Sequence, residues 1–513
     1  MSRKNGGIIG PANTPVGGLM AGVAGGVWRM NDLLDFVGNS QWPSAPQNIE
    51  NSCRFDKGSS DHLTRTPSSA GNRKTWTWSG WVKRATSDSS NNMVLWSSYE
   101  DANNRFAIQI SNTDQFQASN LEGGSLTCRI LSSALLRDRA AWYHFVYAFD
   151  TTQSTATDRQ KLYINGVQAD IVSSSRVDPS QDAELAINDT QEHEVGAQNS
   201  ANPLDGYMAE AVFIDGLALD PTSFGEFDST TGIWKPKKIG QQFAAGGGAG
   251  TNGYYLDFKD SSNLGNDSSG NNNDFSVTNL TSIDQTTDTC VKNYVTLSPL
   301  ATTTTQGTVS QGNLEFDRAG SSDGWVSILS TIGASSGKYY AEIKIIDVGS
   351  PSQGCVLGFL NYDKTNIQTS SSTYLGAATA DAGMGWYSVG NVFAQATTIN
   401  TINSYTDNDI VMLAMDLDNG YCYFGKNGSW ENSGDPTSGS SGTGGYATSY
   451  MTASGTYCFA VSCREAGNVQ ANFGNPPFTI SSGNSDANGF GNFEYSVPSG
   501  YYALNTTNLN TYG

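Results

Sequence analysis

Thr75-Trp76-Thr77-Trp78-Ser79-Gly80-Trp81-Val82-Lys83 alternates large aromatic with small polar side chains. A period of two belongs to an extended strand, whose successive side chains leave on opposite faces. Trp76, Trp78 and Gly80 then share one face, and Thr75, Thr77, Ser79 and Trp81 the other. Lys161-Leu162-Tyr163-Ile164-Asn165-Gly166-Val167 is a short apolar strand closing on Asn-Gly, the pair that most readily supplies the left-handed backbone of a tight hairpin. Between these two stretches, residues 142–149 set Tyr143, Phe145, Tyr147 and Phe149 on one continuous face, which reads as core. His144 falls on the opposite face, where a packed or hydrogen-bonded histidine is expected rather than a catalyst. Further strands are predicted at 105–110 and 208–214. Asp220-Pro221 then offers an N-cap and a proline at the first helical position, so one short helix carrying Phe224 and Phe227 is expected to close a sandwich.

Composition agrees with an all-β class. The chain has 57 Gly, 23 Tyr, 21 Phe and 11 Trp, with only 15% charged residues, a mixture suited to short strands and tight turns rather than helices. At 513 residues it exceeds the ~250–300 residues at which single cores stop growing, so two or three domains are expected. The formal charge of −20 repels phosphate backbones, which argues against a nucleic-acid partner. No apolar run reaches the ~18–20 residues of a membrane helix, so a soluble chain without membrane insertion is expected. Met1-Ser2-Arg3-Lys4 starts basic like a secretory leader, but Pro11, Asn13 and Pro15 stand where the apolar core of one is required. The seven cysteines are odd in number and form no Cys-x-x-Cys pair, which indicates neither a zinc site nor a disulfide framework and fits assembly in a reducing cytoplasm. Cys422 and Cys458 lie inside apolar strand patterns and read as buried thiols.

Four segments are distinguished. Residues 1–45 scatter apolar anchors along a glycine-rich backbone without helical or strand period. They form either a disordered tail or a docking arm whose Ile8, Ile9, Val27, Trp28 and Leu33 order against a partner. Residues 46–235 form the first sandwich. Residues 236–300 read as a linker with one strand at 254–258, since 260–274 is almost wholly Ser, Asn, Asp and Gly, a composition that says turns rather than core. Residues 301–513 form a second β module, with strands at 338–346, 355–359, 410–416, 421–424 and 457–461.

The aromatic strand and the hairpin at 161–167, in that order, resemble the laminin-G-like branch of the concanavalin-A-like jelly rolls, whose members mostly bind glycans or proteins. In the second module, Ser336-Gly337-Lys338-Tyr339-Tyr340-Ala341-Glu342-Ile343, Val356-Leu357-Gly358-Phe359 and Met415-Asp416-Leu417-Asp418-Asn419-Gly420-Tyr421-Cys422-Tyr423-Phe424-Gly425-Lys426-Asn427-Gly428 follow in the order seen in SPRY domains. Such domains are bent β sandwiches that present recognition loops and have no activity of their own. Arg65-Thr66-Pro67-Ser68-Ser69-Ala70-Gly71-Asn72, Gly232-Ile233-Trp234-Lys235-Pro236-Lys237 and Asn427-Gly428-Ser429-Trp430-Glu431-Asn432 further resemble virion appendage and tail-fibre proteins of marine, cyanophage-like bacteriophages. That resemblance implies a non-enzymatic tail-fibre, neck-fibre or capsid-appendage subunit. It would be assembled in the host cytoplasm, dock to other virion proteins through the arm, and act as an adhesin for host-surface glycan or protein. It also implies a homotrimer, although no shaft repeat of fixed period is visible. The rivals are a decoration or connector subunit that binds only virion proteins, and a glycan depolymerase.

Catalytic spellings fail on context. Gly248-Ala249-Gly250-Thr251-Asn252-Gly253 satisfies a dinucleotide pattern, but a glycine linker precedes it and a strand follows. Gly320-Ser321-Ser322-Asp323-Gly324 spells a nucleophile elbow with no helix after it. Only His62, His144 and His193 exist for general acid–base work, and among 48 acidic residues the sequence selects no carboxylate pair. Calcium is the one metal considered, because it wants about six to eight oxygen ligands and Asp257, Asp260, Asp267 and Asp274 stand among several asparagines. Ordinary turn chemistry explains the same residues. Asp416-Leu417-Asp418-Asn419-Gly420 imitates the start of a calcium loop but reads better as a hairpin turn. For sugar recognition an exposed aromatic ring flanked by amides and carboxylates is needed. Trp430 with Asn432 and Asp435 fits best, the alternative being a tryptophan folded back over the sandwich edge. Tyr99, Asn103, Asn104 and a polar loop at 188–202 are the corresponding candidates on the first module, whereas Trp76, Trp78 and Trp386 read as core.

Overall fold

The computed structural model describes residues 49–86, 90–239, 249–299, 307–318, 324–349, 354–364, 373–378, 382–451 and 454–513. The expected arm, with Ile8, Ile9, Val27, Trp28 and Leu33, lies outside these residues.

Thr75–Arg84 is the strand its alternation predicts, and it lies in the middle of an eight-stranded sheet. Trp142–Asp150 and Gly206–Asp215 flank it, and Gln160–Ile164 and Ser52–Phe55 lie beyond them on either side. A seven-stranded sheet stacks on it in the order Ser276–Thr278, His62–Arg65, Glu192–Val195, Met93–Asp101, Asn104–Ile110, Phe116–Glu122 and Ser125–Leu131. Trp76, Trp78, Phe145, Tyr147 and Phe149 from the first sheet meet Trp96, Phe106, Ile108 and Phe116 from the second. Trp76 stacks on Phe149 at 4.9 Å between ring centroids and meets Phe106 edge-on at 5.5 Å. Such buried rings contribute about 1.5–3 kcal/mol each through burial.

The other face of Thr75–Arg84 is buried as well. Trp81 packs there with Trp142, Tyr207 and Trp234. His144 lies against Trp81 at 4.6 Å, its Nδ1 accepting from Trp234 Nε1 at 3.0 Å and its Nε2 paired with Ser79 Oγ at 2.9 Å. It is the structural histidine its parity implies. Asn165 and Gly166 both take positive φ, 48° and 79°, as the hairpin requires. The expected short helix is a single 3-10 turn, Pro221–Ser223, capped by the Asp220 side chain accepting from Thr222 N.

The linker expectation for 236–300 is corrected. Tyr254–Leu256 pairs with Gly206–Asp215, Ser276–Thr278 with His62–Arg65, and Gln285–Thr286 with Ser52–Phe55. Leu256, Phe258, Leu264, Phe275 and Leu280 belong to the first core. The Asn, Asp and Ser residues do form turns, but the turns return short apolar segments to both sheets. The polar loop expected at 188–202 is corrected too, because Glu192–Val195 is an interior strand of the second sheet.

The second module is a sandwich of a nine-stranded and a six-stranded sheet. Lys338–Asp347 and Ile410–Asp416 lie inside the first, and Cys355–Asn361 and Tyr457–Cys463 inside the second. Trp386, Phe359, Phe424 and Phe459 share the core between them. The chain ends in a strand, Tyr502–Ala503, parallel to Lys338–Asp347, and a helix, Thr506–Tyr512, neither of which the sequence reading anticipated.

Residues 283–297 are fastened to both modules. Lys83 Nζ donates to Asp288 Oδ2 at 2.9 Å, Asn293 Oδ1 at 2.7 Å and the Tyr294 carbonyl at 3.0 Å, while Thr287 donates to Asn475 Oδ1 and Val295 N to the Leu504 carbonyl. Direct bonds add to this, from Tyr207 Oη to the Gly312 carbonyl and from Asn313 Nδ2 to the Ala85 carbonyl, each 2.7 Å.

Candidate functional site

In Asn104–Ile110, Phe106, Ile108 and Ile110 enter the core, so Arg105, Ala107 and Gln109 face outward. Register then builds a groove on that outer face. Ala107 stands opposite Ser119 and Ser119 opposite Arg129, with Arg105 opposite Leu121 in the row on one side and Gln109 opposite Gln117 in the row on the other. Small residues form the floor and long ones the walls, leaving a cavity of about 300 Å³. The far wall is the turn carrying Gln198 and Asn202. Gln198 Nε2 donates to the Phe106 carbonyl at 2.8 Å, and Glu194 holds the turn by accepting from Ser200 N through both carboxylate oxygens at 3.1 and 3.2 Å.

Part of the hydrogen-bonding capacity of the walls has no partner among the described residues, although Gln117 donates to Ser119 and Asn92 accepts from Asn112 N. Gln109 is only 6% exposed yet its amide has no partner among the described residues. Arg105 and Arg129 form no ion pair there, and Arg129 Nε is buried without an acceptor. Leu121 and Leu126 supply an apolar edge, Leu126 being 40% exposed. The acidic pair on this face, Glu192 and Glu194, is one residue apart on its strand. Burial pushes the Glu194 carboxyl above its ordinary value, the bonds from Ser200 pull it back, and the neighbouring Glu192 adds to the rise. With both its oxygens holding the Ser200 turn, Glu194 has a structural task rather than the freedom of a hydrolytic acid or base.

A second cavity, of about 370 Å³, lies where the modules meet. Several of its side chains are already committed: Gln285 Nε2 to the carbonyls of Phe258 and Lys259, Thr286 to Ser52, and Thr287 to Asn475 Oδ1, while Asn475 Nδ2 is buried without an acceptor among the described residues. The junction cavity reads as packing, the groove as a ligand site.

The residues singled out from sequence are placed as follows. Trp430 is half-buried, edge-on to Tyr340 at 6.3 Å and to Tyr423 at 6.4 Å, which is the folded-back arrangement. Asn432 donates to the Gly444 carbonyl from a left-handed backbone, φ 56°, and Asp435 caps the turn Pro436–Ser441 by accepting from Thr437 N. Asp101 accepts from the backbone N–H groups of Asn103 and Asn104, and the Asn104 amide oxygen accepts from Gly123 N, so those asparagines join two hairpins. Tyr99 alone of that set borders the groove, standing opposite Arg105 in the register.

The four aspartates considered for calcium do not converge. Asp267 is buried, its Oδ1 accepting from the N–H groups of Tyr255 and Ser269 and its Oδ2 from Asn273 N and Ser269 Oγ. Asp274 accepts from Asp267 N, Asp260 from Ser262, and Asp257 from Lys259 N. Turn backbone takes the lone pairs a cation would need. No cluster of three His, Cys, Asp or Glu side chains able to hold a metal occurs among the described residues. At 416–420, Asp416 accepts from Asn419 N and pairs with Lys338 at 2.9 Å, as a hairpin turn should.

Arg105, Gln109 and Arg129 were not singled out from sequence. Parity in Arg105-Phe106-Ala107-Ile108-Gln109-Ile110 does mark an outward face, but only the pairing of three strands turns it into a groove.

Comparison with known proteins places the fold. Residues 57–222 match the laminin-G-type family described as the concanavalin A-like lectin/glucanases superfamily. The SPRY domain of human HERC1 is similar at 16% identity, covering 34% of this chain and 96% of that domain with a TM-score of 0.27. A heptameric SAP-like pentraxin from Limulus polyphemus is similar at 14% identity, covering 34% of this chain and 79% of that one with a TM-score of 0.26. Among curated proteins, none matches the sequence. The chain is thus an all-β, multi-domain protein with a concanavalin-A-like first module.

Proposed function

We propose that this chain is a bacteriophage virion subunit, of tail fibre, neck fibre or capsid appendage, that recognises host-surface saccharide through the groove on its first module. The observation that carries the saccharide reading is the groove itself. Saccharides are bound by converging hydrogen bonds beside an apolar edge, and here unpartnered Gln109, Arg105 and Arg129 face a floor of Ala107 and Ser119 next to Leu121 and Leu126. The virion reading is supported by the sequence resemblance, with residues 1–45 as the docking arm to other virion proteins.

The test is binding of the purified full chain to a glycan array and to marine bacterial cells, beside its Ala107→Leu variant. Ala107 is 5% exposed on the groove floor, so a leucine there fills the cavity without entering the core. Saturable binding that Ala107→Leu abolishes is expected. Absence of binding to every glycan and cell would replace the adhesin by a decoration or connector subunit. Release of reducing sugar from a bound polysaccharide would favour a depolymerase. Deleting residues 2–45 is expected to leave saccharide binding intact and to prevent incorporation into particles.

A further inference from the structure

Several buried or half-buried cations of this protein are paired with carboxylates, and Arg159, which has no ion pair among the described residues, is bonded to three backbone carbonyls. Lys83 lies 2.9 Å from Asp288, Arg84 2.9 Å from Asp114, Arg176 2.8 Å from Asp178 and Lys338 2.9 Å from Asp416. With 48 acidic against 28 basic residues, a carboxylate is available for every arginine. Arg105 and Arg129 nevertheless face the same groove with no carboxylate in its lining and no ion pair of their own among the described residues. Both are partly buried, and Arg129 Nε is shut from solvent without an acceptor. An Nε–H shut from solvent without an acceptor costs free energy in the unliganded protein. Gln109, nine-tenths buried and also unpartnered, lines the same cavity.

The spacing of the two arginines suits one sugar-sized anion. They stand on strands separated by one other, offset by two residues, because Ser119 pairs with Arg129 and Ala107, and Arg105 lies two positions from Ala107. At ~4.8 Å between strands and ~3.4 Å per residue, their Cα atoms are about 12 Å apart, within reach of two extended arginine side chains leaning toward each other across Ser119. A planar guanidinium prefers a bidentate oxyanion to any neutral hydroxyl.

From these observations we propose that the groove takes an anionic saccharide, whose carboxylate or sulfate is held between Arg105 and Arg129 while Gln109 and Gln117 bond the ring hydroxyls. The proposal rests on the saccharide reading above and narrows it to one ligand chemistry. The surrounding charge of −20 opposes a polyanion at long range, so recognition is confined to the sugar residue seated in the groove.

The experiment is calorimetric titration of the full chain with three oligosaccharides of one length: a galacturonate oligomer, a sulfated galactose oligomer and a neutral galactose oligomer. Wild type is compared with Arg105→Gln, Arg129→Gln and Arg105→Lys. At least one anionic oligomer is expected to bind about tenfold or more tighter than the neutral one, and each Gln variant to lose about tenfold in affinity. Arg105→Lys is expected to fall between, keeping charge but not the bidentate geometry. Which anionic oligomer binds separates carboxylate from sulfate as the source. If Arg129→Gln does not fold, Arg105→Gln, on an open face of the strand, decides alone. Equal binding of neutral and anionic oligomers, unchanged in the Gln variants, overturns the anionic assignment and leaves the saccharide reading standing. Binding of none of the three overturns the anionic assignment, and failure across the full glycan array overturns both.

Discussion

Replacing Asp288 by alanine should uncouple the two sandwiches, and the cost can be worked from its surroundings. Lys83 and Asp288 side chains are each 1% exposed and 2.9 Å apart. Asp288 Oδ1 also accepts from Trp142 Nε1 at 3.1 Å and Tyr294 N at 3.2 Å. Removing one partner of a buried ion pair leaves the other charge desolvated and costs about 3–5 kcal/mol. The two stranded donors belong to the same network, so their cost does not add independently. For a module of this size about 1 kcal/mol moves Tm by ~2–4 °C, so the shift is on the order of 10 °C. Asp288 lies in the segment that joins both modules. The variant is therefore expected to show two calorimetric transitions where wild type shows one, the first-module transition moving down. Removing the ammonium as well, in Lys83→Met with Asp288→Ala, should recover part of the loss, because a buried pair exchanged for apolar groups is often nearly neutral. The surface pair Lys161–Asp158, 37% and 48% exposed, provides the contrast: Lys161→Ala should cost at most about 0.5 kcal/mol. An Asp288→Ala protein melting within about 2 °C of wild type in a single transition would refute the reasoning, and with it the picture of residues 283–297 as part of the folded body.

Gly166 sits at φ 79°, and a Cβ there would collide with Trp234 Cε3. Gly166→Ala is expected to lose about 1–3 kcal/mol or more in denaturant titration, whereas Gly123→Ala, with positive φ but open space, should lose only the backbone term. Burial lowers the His193 pKa to about 4, and its Nε2 accepts from Asn188 N at 2.9 Å, so the folded state holds it neutral. Its folded pKa lies below the unfolded value of about 6.5, so its contribution is fully present above that pH and is lost as pH falls toward 4, at about 1.4 kcal/mol per unit. The stability gap between wild type and His193→Gln should accordingly narrow by about 2 kcal/mol from pH 6.5 to 5, and a constant gap would exclude a neutral buried imidazole. Six of the seven cysteines are buried, and burial pushes the thiols of Cys53, Cys128, Cys422, Cys458 and Cys463 upward. Thiol titration of native protein should therefore find at most one reactive group and that of denatured protein seven; several fast native thiols would contradict this packing.

Strands whose alternation is carried by aromatics were legible because burial and period agree. Thr75–Arg84 and Trp142–Asp150 fall where the sequence puts them. The Asn165-Gly166 turn was legible because few other residues tolerate positive φ. Residues 254–286 misled because their strands are two or three residues long, too short for a period, and because the same Asx turns serve a linker and a folded edge alike. Asp267 shows why oxygen-rich spelling cannot separate a cation site from a turn. Its four hydrogen bonds come from Tyr255, Ser269 and Asn273, and only the fold shows that those donors arrive.

The groove was hidden for a different reason. Parity assigns Arg105, Gln109 and Arg129 to an outward face, and an outward arginine in an acidic protein reads as solvated and paired. What makes these different is a relation between strands: Ala107 and Ser119 fall in one row, so the floor drops, and the groove lining holds no carboxylate, Glu192 lying beyond Tyr99 in the row of Arg105. A protein that could neutralise both with one Asp or Glu at Ser119, and instead keeps a small neutral residue there, leaves charge and space together. Ser119→Glu would fill both at once. It should stabilise the free protein modestly by pairing the arginines, since a partly exposed pair is worth about 1 kcal/mol, while closing the groove to an anion. Improved stability with loss of binding is the combination that a ligand site predicts and a merely solvated surface does not.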